Sequence, residues 1–136
     1  MRIRMFRPED TEDVVALWES SGLVVPWNDP RKDIARKRDV QPELFIVAVD
    51  KGDRLLGSVM AGYDGHRGYL ATCETVRGSG VGRALVEHVE AALRDLGCPK
   101  VNLQVRSSNA AVVAFYEHLG YRIDDTIDLG KRLIED

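Results

Sequence analysis

The pattern in this sequence that most strongly indicates a functional site is a run of glycines between two arginines. Residues 74–89 read ETVRGSGVGRALVEHV, so three glycines and two arginines fall within the seven positions from Arg77 to Arg83. Glycine tolerates positive φ and lets another group approach its backbone closely. An amphipathic helix follows directly, and the free N–H groups and dipole at its start favour an anion. The run predicts a phosphate-binding loop in which both arginines add charge-assisted hydrogen bonds. The alternative is a tight turn that needs glycine for its geometry alone.

Two common phosphate-binding patterns do not fit this run. A P-loop ends in Gly-Lys-Ser/Thr, whereas Arg83 follows Gly82 here. A dinucleotide fingerprint requires a different glycine spacing and an acidic residue at the end of the next strand. The next strand predicted in this sequence ends in Val105-Arg106 instead. Both patterns are therefore excluded.

A second segment, SNAAVVAFYEHLGY at residues 108–121, carries an amide and a phenol on one helix face. Residues seven apart in a helix differ by nearly two full turns and by about 10.5 Å along the axis. Asn109 and Tyr116 therefore point the same way. An amide can hold an extended chain while a phenol at its far end donates a proton. The alternative is an asparagine near the helix start and a half-buried tyrosine without a chemical role.

The elements that position these residues follow from hydrophobic periodicity and from turn residues. Strands are predicted at residues 2–6, 44–49, 54–63, 69–73 and 100–106, with one or two more after residue 121. Helices are predicted from Pro8 to Gly22, over residues 31–38, from Val81 to Gly97, and from a cap at Ser107 or Ser108 to Gly120. Two short turns make the middle strands an antiparallel meander. A strand–helix–strand crossover after a meander indicates an α/β fold, with a mixed sheet and helices on both faces.

Length and composition indicate a globular protein with one domain, residues 1–136. Hydrophobic residues make up 44% and charged residues 30% of the chain, and the net charge is -3 with both signs interspersed. This balance provides no general field for nucleic acid, and no apolar run or leader predicts a membrane span or export. Cys73 and Cys98 lack a CxxC spacing, so reduced thiols and a cytoplasmic location are expected.

The two segments together resemble the GNAT superfamily of N-acetyltransferases. The family's pyrophosphate signature, Arg/Gln-x-x-Gly-x-Gly/Ala, is matched by Arg77, Gly80 and Gly82. Its C-terminal signature is matched by Asn109, Phe115-Tyr116 and Leu119-Gly120-Tyr121. PWNDP, GYDGHRG and LGKRLIED are similar to the YpeA group of bacterial GNAT proteins, and LQVRSSNAAVVAFYEHLGY is similar to ribosomal-protein N-terminal alanine acetyltransferases. The resemblance covers nearly the whole chain and implies a mostly antiparallel sheet of six to seven strands.

The resemblance also implies a function, an acetyl-CoA-dependent N-acetyltransferase that needs no metal. In this family the pantetheine of acetyl-CoA lies between two splayed strands, and a primary amine attacks the thioester directly. Tyr116 would protonate the departing CoA thiolate, because a phenol stays protonated at neutral pH. The acceptor would be a small molecule, a protein N-terminus or a lysine. Separately, the edge strands predicted near the C-terminus favour a homodimer. The implied cofactor-binding residues are Leu70, Ala71, Thr72, Arg77, Gly78, Ser79, Gly80, Val81, Gly82, Arg83, Asn109 and Tyr116.

Three features depart from the family's pattern. Cys73-Glu74 stands where a His-Pro or Asp-Pro pair is usual, and the hairpin before it is shorter than the family norm. Gln104 replaces the glutamate base of the N-terminal alanine enzymes, and a carboxamide cannot accept the ammonium proton. Glu74 is the first candidate for a replacement base, followed by His66 and Asp64, while the leading hypothesis is an enzyme without a base. A non-catalytic acyl-CoA-binding sensor is the alternative function.

Two further features of the sequence have a structural and a functional interpretation. A basic stretch is either a solvated helix face or a contact for CoA phosphates or an acidic acceptor; it comprises Arg31, Lys32, Arg36, Lys37 and Arg38. Trp27 and Asn28 fall in the loop that often shapes the acceptor pocket in this family. The alternative for Trp27 is an aromatic anchor that holds the loop in the core.

Overall fold

The computed structural model describes residues 1–136, which contacts divide into two compact units. The first unit comprises residues 1–102 together with Asp136, and the second comprises residues 103–135. The prediction that residues 1–136 form one domain stays a prediction. The first unit carries the sheet and three helices, and the second carries one helix.

The sheet of the first unit has five strands in chain order, antiparallel except for the last pair. Its strands are β1 (Arg2–Met5), β2 (Phe45–Val49), β3 (Leu55–Tyr63), β4 (Gly68–Glu74) and β5 (Val101–Asn102). The helices are α1 (Thr11–Ser20), α2 (Pro30–Asp39) and α3 (Val81–Asp95), and short 3-10 turns occupy Pro8–Asp10 and Pro42–Leu44. The predicted α/β fold with a mixed, mostly antiparallel sheet is confirmed.

The two faces of this sheet are covered by different helices. Every second side chain of β2 points to the same face of the sheet. These side chains, Phe45, Val47 and Val49, pack with Val14 of α1 and Ile34 of α2. The opposite face receives α3, whose buried side chains recur at helical spacing: Val81, Leu85, Val86, Val89 and Leu93. The sequence pattern of α3 therefore translates directly into its packed face.

The connections follow from local side-chain chemistry. Asp29 caps α2 by accepting the N–H of Arg31 at 2.9 Å, and Pro30 occupies the first helical position. Asp64 accepts the N–H groups of His66 and Arg67, each at 2.7 Å, and so closes the turn between β3 and β4. The Asp64 turn joins β3 to β4, and β4 lies inside the sheet between β3 and β5.

The strands predicted near the C-terminus are wrong, so the sheet has five strands rather than six to seven. In the second unit, α4 (Ala110–His118) is followed by irregular chain. A strand needs a neighbour for its backbone hydrogen bonds, and no ladder includes a residue after Asn102. The apolar residues that suggested a strand are exposed, including Ile127 at 88% and Leu129 at 90%. The strand predicted at 100–106 is limited to Val101–Asn102 for the same reason.

Candidate functional site

The glycine run forms the loop between β4 and α3, and two of its glycines are required by backbone conformation. Gly78 and Gly80 have φ values of 76° and 85°, in the left-handed region that other residues avoid. Gly80 is the N-cap of α3, and a Cβ at either glycine would meet no atom within 4 Å. The loop therefore places bare backbone and open space at the start of a helix, where N–H groups lack intrahelical partners.

Glu74 is the side chain that meets this helix start. Its Oε2 accepts the N–H of Gly82 at 2.8 Å, and a Cβ built on Gly82 would lie 3.0 Å from that oxygen. The absence of a side chain at Gly82 is thus what lets the carboxylate approach, and the positive end of the helix dipole favours it there. Of the amides predicted to bind pyrophosphate, that of Gly82 already has a partner within the chain. Glu74 as a catalytic base stays a prediction.

The two arginines of the loop are exposed. Arg83 forms an ion pair with Glu87 one turn later, with Nε and Oε1 2.9 Å apart, and both side chains are more than half exposed. Exposed pairs of this kind contribute little to stability. Arg77 has no ion-pair partner. Both guanidinium groups are therefore at the surface near the helix start, where an anionic ligand could recruit them.

The strand before the loop opens away from its parallel neighbour. Pairing between β4 and β5 covers only Gly68 with Val101 and Tyr69 with Asn102. The next three residues, Leu70, Ala71 and Thr72, continue to pair with β3 on the other side. A strand edge of this kind can hydrogen-bond an extended ligand through its backbone. These are the three positions that the family resemblance assigns to the pantetheine.

A cavity of about 510 Å³ opens on the sheet face covered by α1 and α2. The sheet contributes Met60 from β3 and part of β4. A cavity of this size accommodates a small molecule or the end of a peptide. The residues that line it are Trp18, Leu23, Asp33, Arg36, Lys37, Val40, Met60, Ala71, Thr72 and Cys73. Ala71 and Thr72 thus belong both to this cavity and to the strand edge.

Cys73 lies at the end of this cavity and is largely buried, at 8% exposed. Its Sγ is 3.1 Å from the Oγ of Ser21, and burial raises the pKa of the thiol. A protonated thiol is a weak nucleophile. The residue therefore lines the cavity as a buried, free thiol.

The other candidate bases lie in the β3–β4 turn. The backbone N–H groups of Arg67 and His66 hold the pKa of Asp64 below its ordinary value, so this carboxylate is a poor proton acceptor. His66 is exposed in the same turn. Neither residue lines the cavity.

Trp27, in the loop between α1 and α2, fits neither of the two interpretations given for it. This side chain is 64% exposed, so it does not anchor the loop in the core, and it does not line the cavity. The neighbouring Asn28 donates its amide N–H to Asp33 of α2. What sequence reasoning missed are the apolar cavity residues, because Trp18, Leu23 and Met60 are ordinary core types with no chemical signature.

In the second unit, Asn109 lies at the start of α4 and Tyr116 lies in its last turn. Asn109 is the N-cap, and its Oδ1 accepts the N–H of Val112 at 3.3 Å, so the predicted cap at Ser107 or Ser108 is wrong. Tyr116 is 6% exposed, with edge-on ring contacts to Phe115 and Tyr121. Packing on both sides holds the phenol ring in one orientation.

Gln104 is also engaged within the second unit. Its Nε2 donates to the Oδ1 of Asp128 at 2.8 Å. Across the chain, no three His, Cys, Asp or Glu side chains lie close enough together to hold a metal ion. None of the four helices has the length and apolar content that a membrane crossing needs.

Comparison with known proteins identifies the family of this chain. The model of the acetyltransferase (GNAT) family matches residues 11–121. An acetyltransferase of Pectobacterium atrosepticum is 51% identical over 100% of this chain and 98% of its own, and one of Sodalis glossinidius is 50% identical with the same coverage.

Several solved structures have a similar fold. Ard1 from Thermoplasma volcanium has a TM-score of 0.80 at 25% identity, over 90% of this chain and 83% of its own. Naa20 from Chaetomium thermophilum, solved with a bisubstrate analogue, has a TM-score of 0.74 at 25% identity, over 88% of this chain and 70% of its own. With a family match over most of the chain and relatives half identical along its full length, the chain belongs to the GNAT family and is an N-acetyltransferase.

Proposed function

We propose that this protein transfers the acetyl group of acetyl-CoA to a primary amine that binds in the cavity beside β4. The observation that carries the proposal is the juxtaposition at β4. Pairing between β4 and β5 ends at Tyr69, and the cavity reaches the next part of β4 at Ala71 and Thr72. The glycine loop begins where β4 ends. A donor held along the strand edge would thus present its reactive end to an amine in the cavity.

The residues present fit the coenzyme. Open space beside Gly78 and Gly80, the start of α3 and the exposed Arg77 and Arg83 suit a diphosphate. The backbone of Leu70, Ala71 and Thr72 suits the extended pantetheine, and Asn109 would steady it. Acetyl-CoA supplies the acetyl group as a thioester whose carbonyl carbon an amine can attack.

Tyr116 is the proposed general acid. Its phenol is held by aromatic neighbours and would give its proton to the CoA sulfur as the thioester bond breaks. No base is required by this proposal: Gln104 cannot accept a proton, and Asp64 is held ionised by the turn. Glu74, whose carboxylate accepts the N–H of Gly82, stays the first candidate if the reaction uses one. The amine would reach the cavity already deprotonated or lose its proton to water.

The proposal is tested in two steps, binding and turnover. Acetyl-CoA at 100 times its Kd should stabilise the fold by about 2.7 kcal/mol, a rise in Tm of several degrees, and ADP serves as the control ligand. Tyr116→Phe should lower kcat by about 100-fold or more while acetyl-CoA affinity is retained. Equal kcat in that variant would remove Tyr116 from the role, and no Tm rise at millimolar acetyl-CoA would refute the proposal as a whole.

A further inference from the structure

The cavity that takes the acceptor is mostly apolar but has charged residues from one helix on its wall. Trp18, Leu23, Val40 and Met60 are apolar, whereas α2 contributes one carboxylate and two cations. The cations belong to the basic stretch, for which an acidic acceptor was one interpretation. Their ion pairing decides which of them is available to a ligand.

Arg36 is held by two carboxylates. Its Nη2 lies 2.5 Å from the Oδ1 of Asp136, and its Nη1 lies 3.2 Å from the Oδ1 of Asp33. The side chain of Asp136 is only 2% exposed, and its other oxygen accepts the N–H of Asp29 at 2.9 Å. The guanidinium is thereby neutralised, and the network joins Asp136 to α2 and to its N-cap residue.

Lys37 has no such partner. Asp33, four residues before it on α2, is the position that would ordinarily pair with it. The oxygens of Asp33 instead face Arg36 and the amide of Asn28, and no ion pair includes Lys37. The side chain is half-buried, and its desolvation lowers the pKa of the ammonium. The charge of Glu43 opposes this shift of the pKa without cancelling it, so an anion brought into the cavity would stabilise the ammonium further.

The ammonium also lies at a defined place over the sheet. Its Nζ would be 3.9 Å from a Cβ built on Gly62, so the missing side chain leaves room for it there. Gly62 pairs with Tyr69, which precedes Ala71 and Thr72 on β4 by two and three residues. At a strand rise of about 3.3 Å per residue, Lys37 lies roughly 7–10 Å along the sheet from those cavity residues.

We infer that Lys37 is a specificity-determining residue and that the acceptor is a primary amine with an apolar body and an anionic group. This assignment rests on the proposed function, because it takes the amine to react beside Ala71 and Thr72. The spacing excludes an α-amino acid, whose ammonium and carboxylate share one carbon. It fits an ω-amino acid or a peptide N-terminus followed by an acidic side chain.

The test compares matched acceptors that differ only in charge. One pair is 6-aminohexanoate and 6-aminohexanamide, and the other is leucyl-aspartyl amide and leucyl-asparaginyl amide, so the arms separate a free amino acid from a peptide. For each, kcat/KM is measured as CoA thiol release. The variants are Lys37→Met, Lys37→Arg and, as the control, Lys32→Met, which removes an exposed lysine of the same helix that does not line the cavity.

In the wild type, the anionic member of one pair should be preferred by about 10- to 100-fold, as expected for a charged hydrogen bond. Lys37→Met should bring that ratio close to one, whereas Lys37→Arg and Lys32→Met should keep it. A general folding defect would lower kcat/KM for both members of a pair by the same factor. The ratio of the two values therefore reports only how the charge is recognised.

The results distinguish a failure of the Lys37 assignment from a failure of the proposed function. If acetyl-CoA raises Tm but neither anionic acceptor is acetylated, or both members of each pair react equally, or the preference survives Lys37→Met, the assignment of Lys37 is wrong and the proposed function stands. If acetyl-CoA leaves Tm unchanged, the proposed function itself fails.

Discussion

Gly57, near the start of β3, lies directly beneath the start of α3, and adding one methyl group there should destabilise the protein. A Cβ at this position would lie 2.8 Å from the carbonyl oxygen of Cys73, 2.9 Å from Cγ1 of Val81 and 3.0 Å from Cδ1 of Leu85. Real Cβ atoms do not approach so closely. The oxygen belongs to the backbone of β4 and cannot rotate away, so β3 and β4 must move apart locally. The two side-chain contacts require α3 to shift from the sheet as well.

The magnitude follows from two opposing effects. Overpacking of this kind costs about 1–3 kcal/mol, while replacing glycine restricts the unfolded chain and returns about 0.4–1 kcal/mol. The immobile carbonyl favours the upper part of the first range, so Gly57→Ala should lose about 1–2 kcal/mol of unfolding free energy. At about 4 °C per kcal/mol for a chain of this length, Tm should fall by roughly 4–8 °C.

The assay is thermal unfolding followed by circular dichroism, with Gly52→Ala as the matched control. A Cβ on Gly52 would meet only the Oδ1 of Asp50, at an ordinary 3.5 Å, so that variant should stay within about 2 °C of wild type. Because the clash includes Val81, the first residue of α3, Gly57→Ala should also weaken acetyl-CoA binding. Equal Tm values for the two variants would refute the packing argument.

Three further predictions concern other contacts of the first unit. The hydrogen bonds from Arg4 hold the pKa of Asp10 below its ordinary value, so the stability from this pair is present above the unfolded pKa of about 4 and is lost as the pH falls through the folded value. Asp10→Asn should cost about 1.5–3 kcal/mol at pH 7, and urea unfolding should show that this difference shrinks on acidification; a constant difference would contradict the linkage. Asp136→Ala should cost about 1–2 kcal/mol and speed hydrogen exchange at the Asp29 amide, because a buried acceptor is removed; unchanged exchange there would contradict the contact. Iodoacetamide should modify Cys73 at least about tenfold more slowly than the half-exposed Cys98, because burial raises the pKa of Cys73; equal rates, read by mass spectrometry, would show that the thiol is accessible.

Much of the fold could be predicted because its patterns are local. The apolar spacing from Val81 to Leu93 predicted α3 and its buried face, and the turn residues around Asp64 predicted the meander. The C-terminal strands failed for a reason that is not local. Alternation around Ile127 and Leu129 is compatible with a strand, but a strand also requires a partner ladder, which a single segment cannot reveal.

The glycine loop and the cavity beside β4 also differ in how far the sequence predicts them. Gly78 and Gly80 could be identified in advance, since a left-handed backbone leaves a mark in the residue type itself. The contact of Glu74 with Gly82 could not, because it depends on how β4 and α3 approach each other. The cavity is likewise assembled from both helices of one face and two strands, and none of its apolar residues differs in type from an ordinary core residue.

The sequence by itself therefore determined the family, the order of most elements and the loop that suits a diphosphate, because these depend on residue types at short spacings. Only the tertiary structure decided which charges of α2 remain available. Arg36 and Lys37 are adjacent and equally basic in sequence, yet Asp136 and Asp33 neutralise the first and leave the second unpaired. Pairing between charges distant in the chain is a property of the folded geometry, which the sequence does not display.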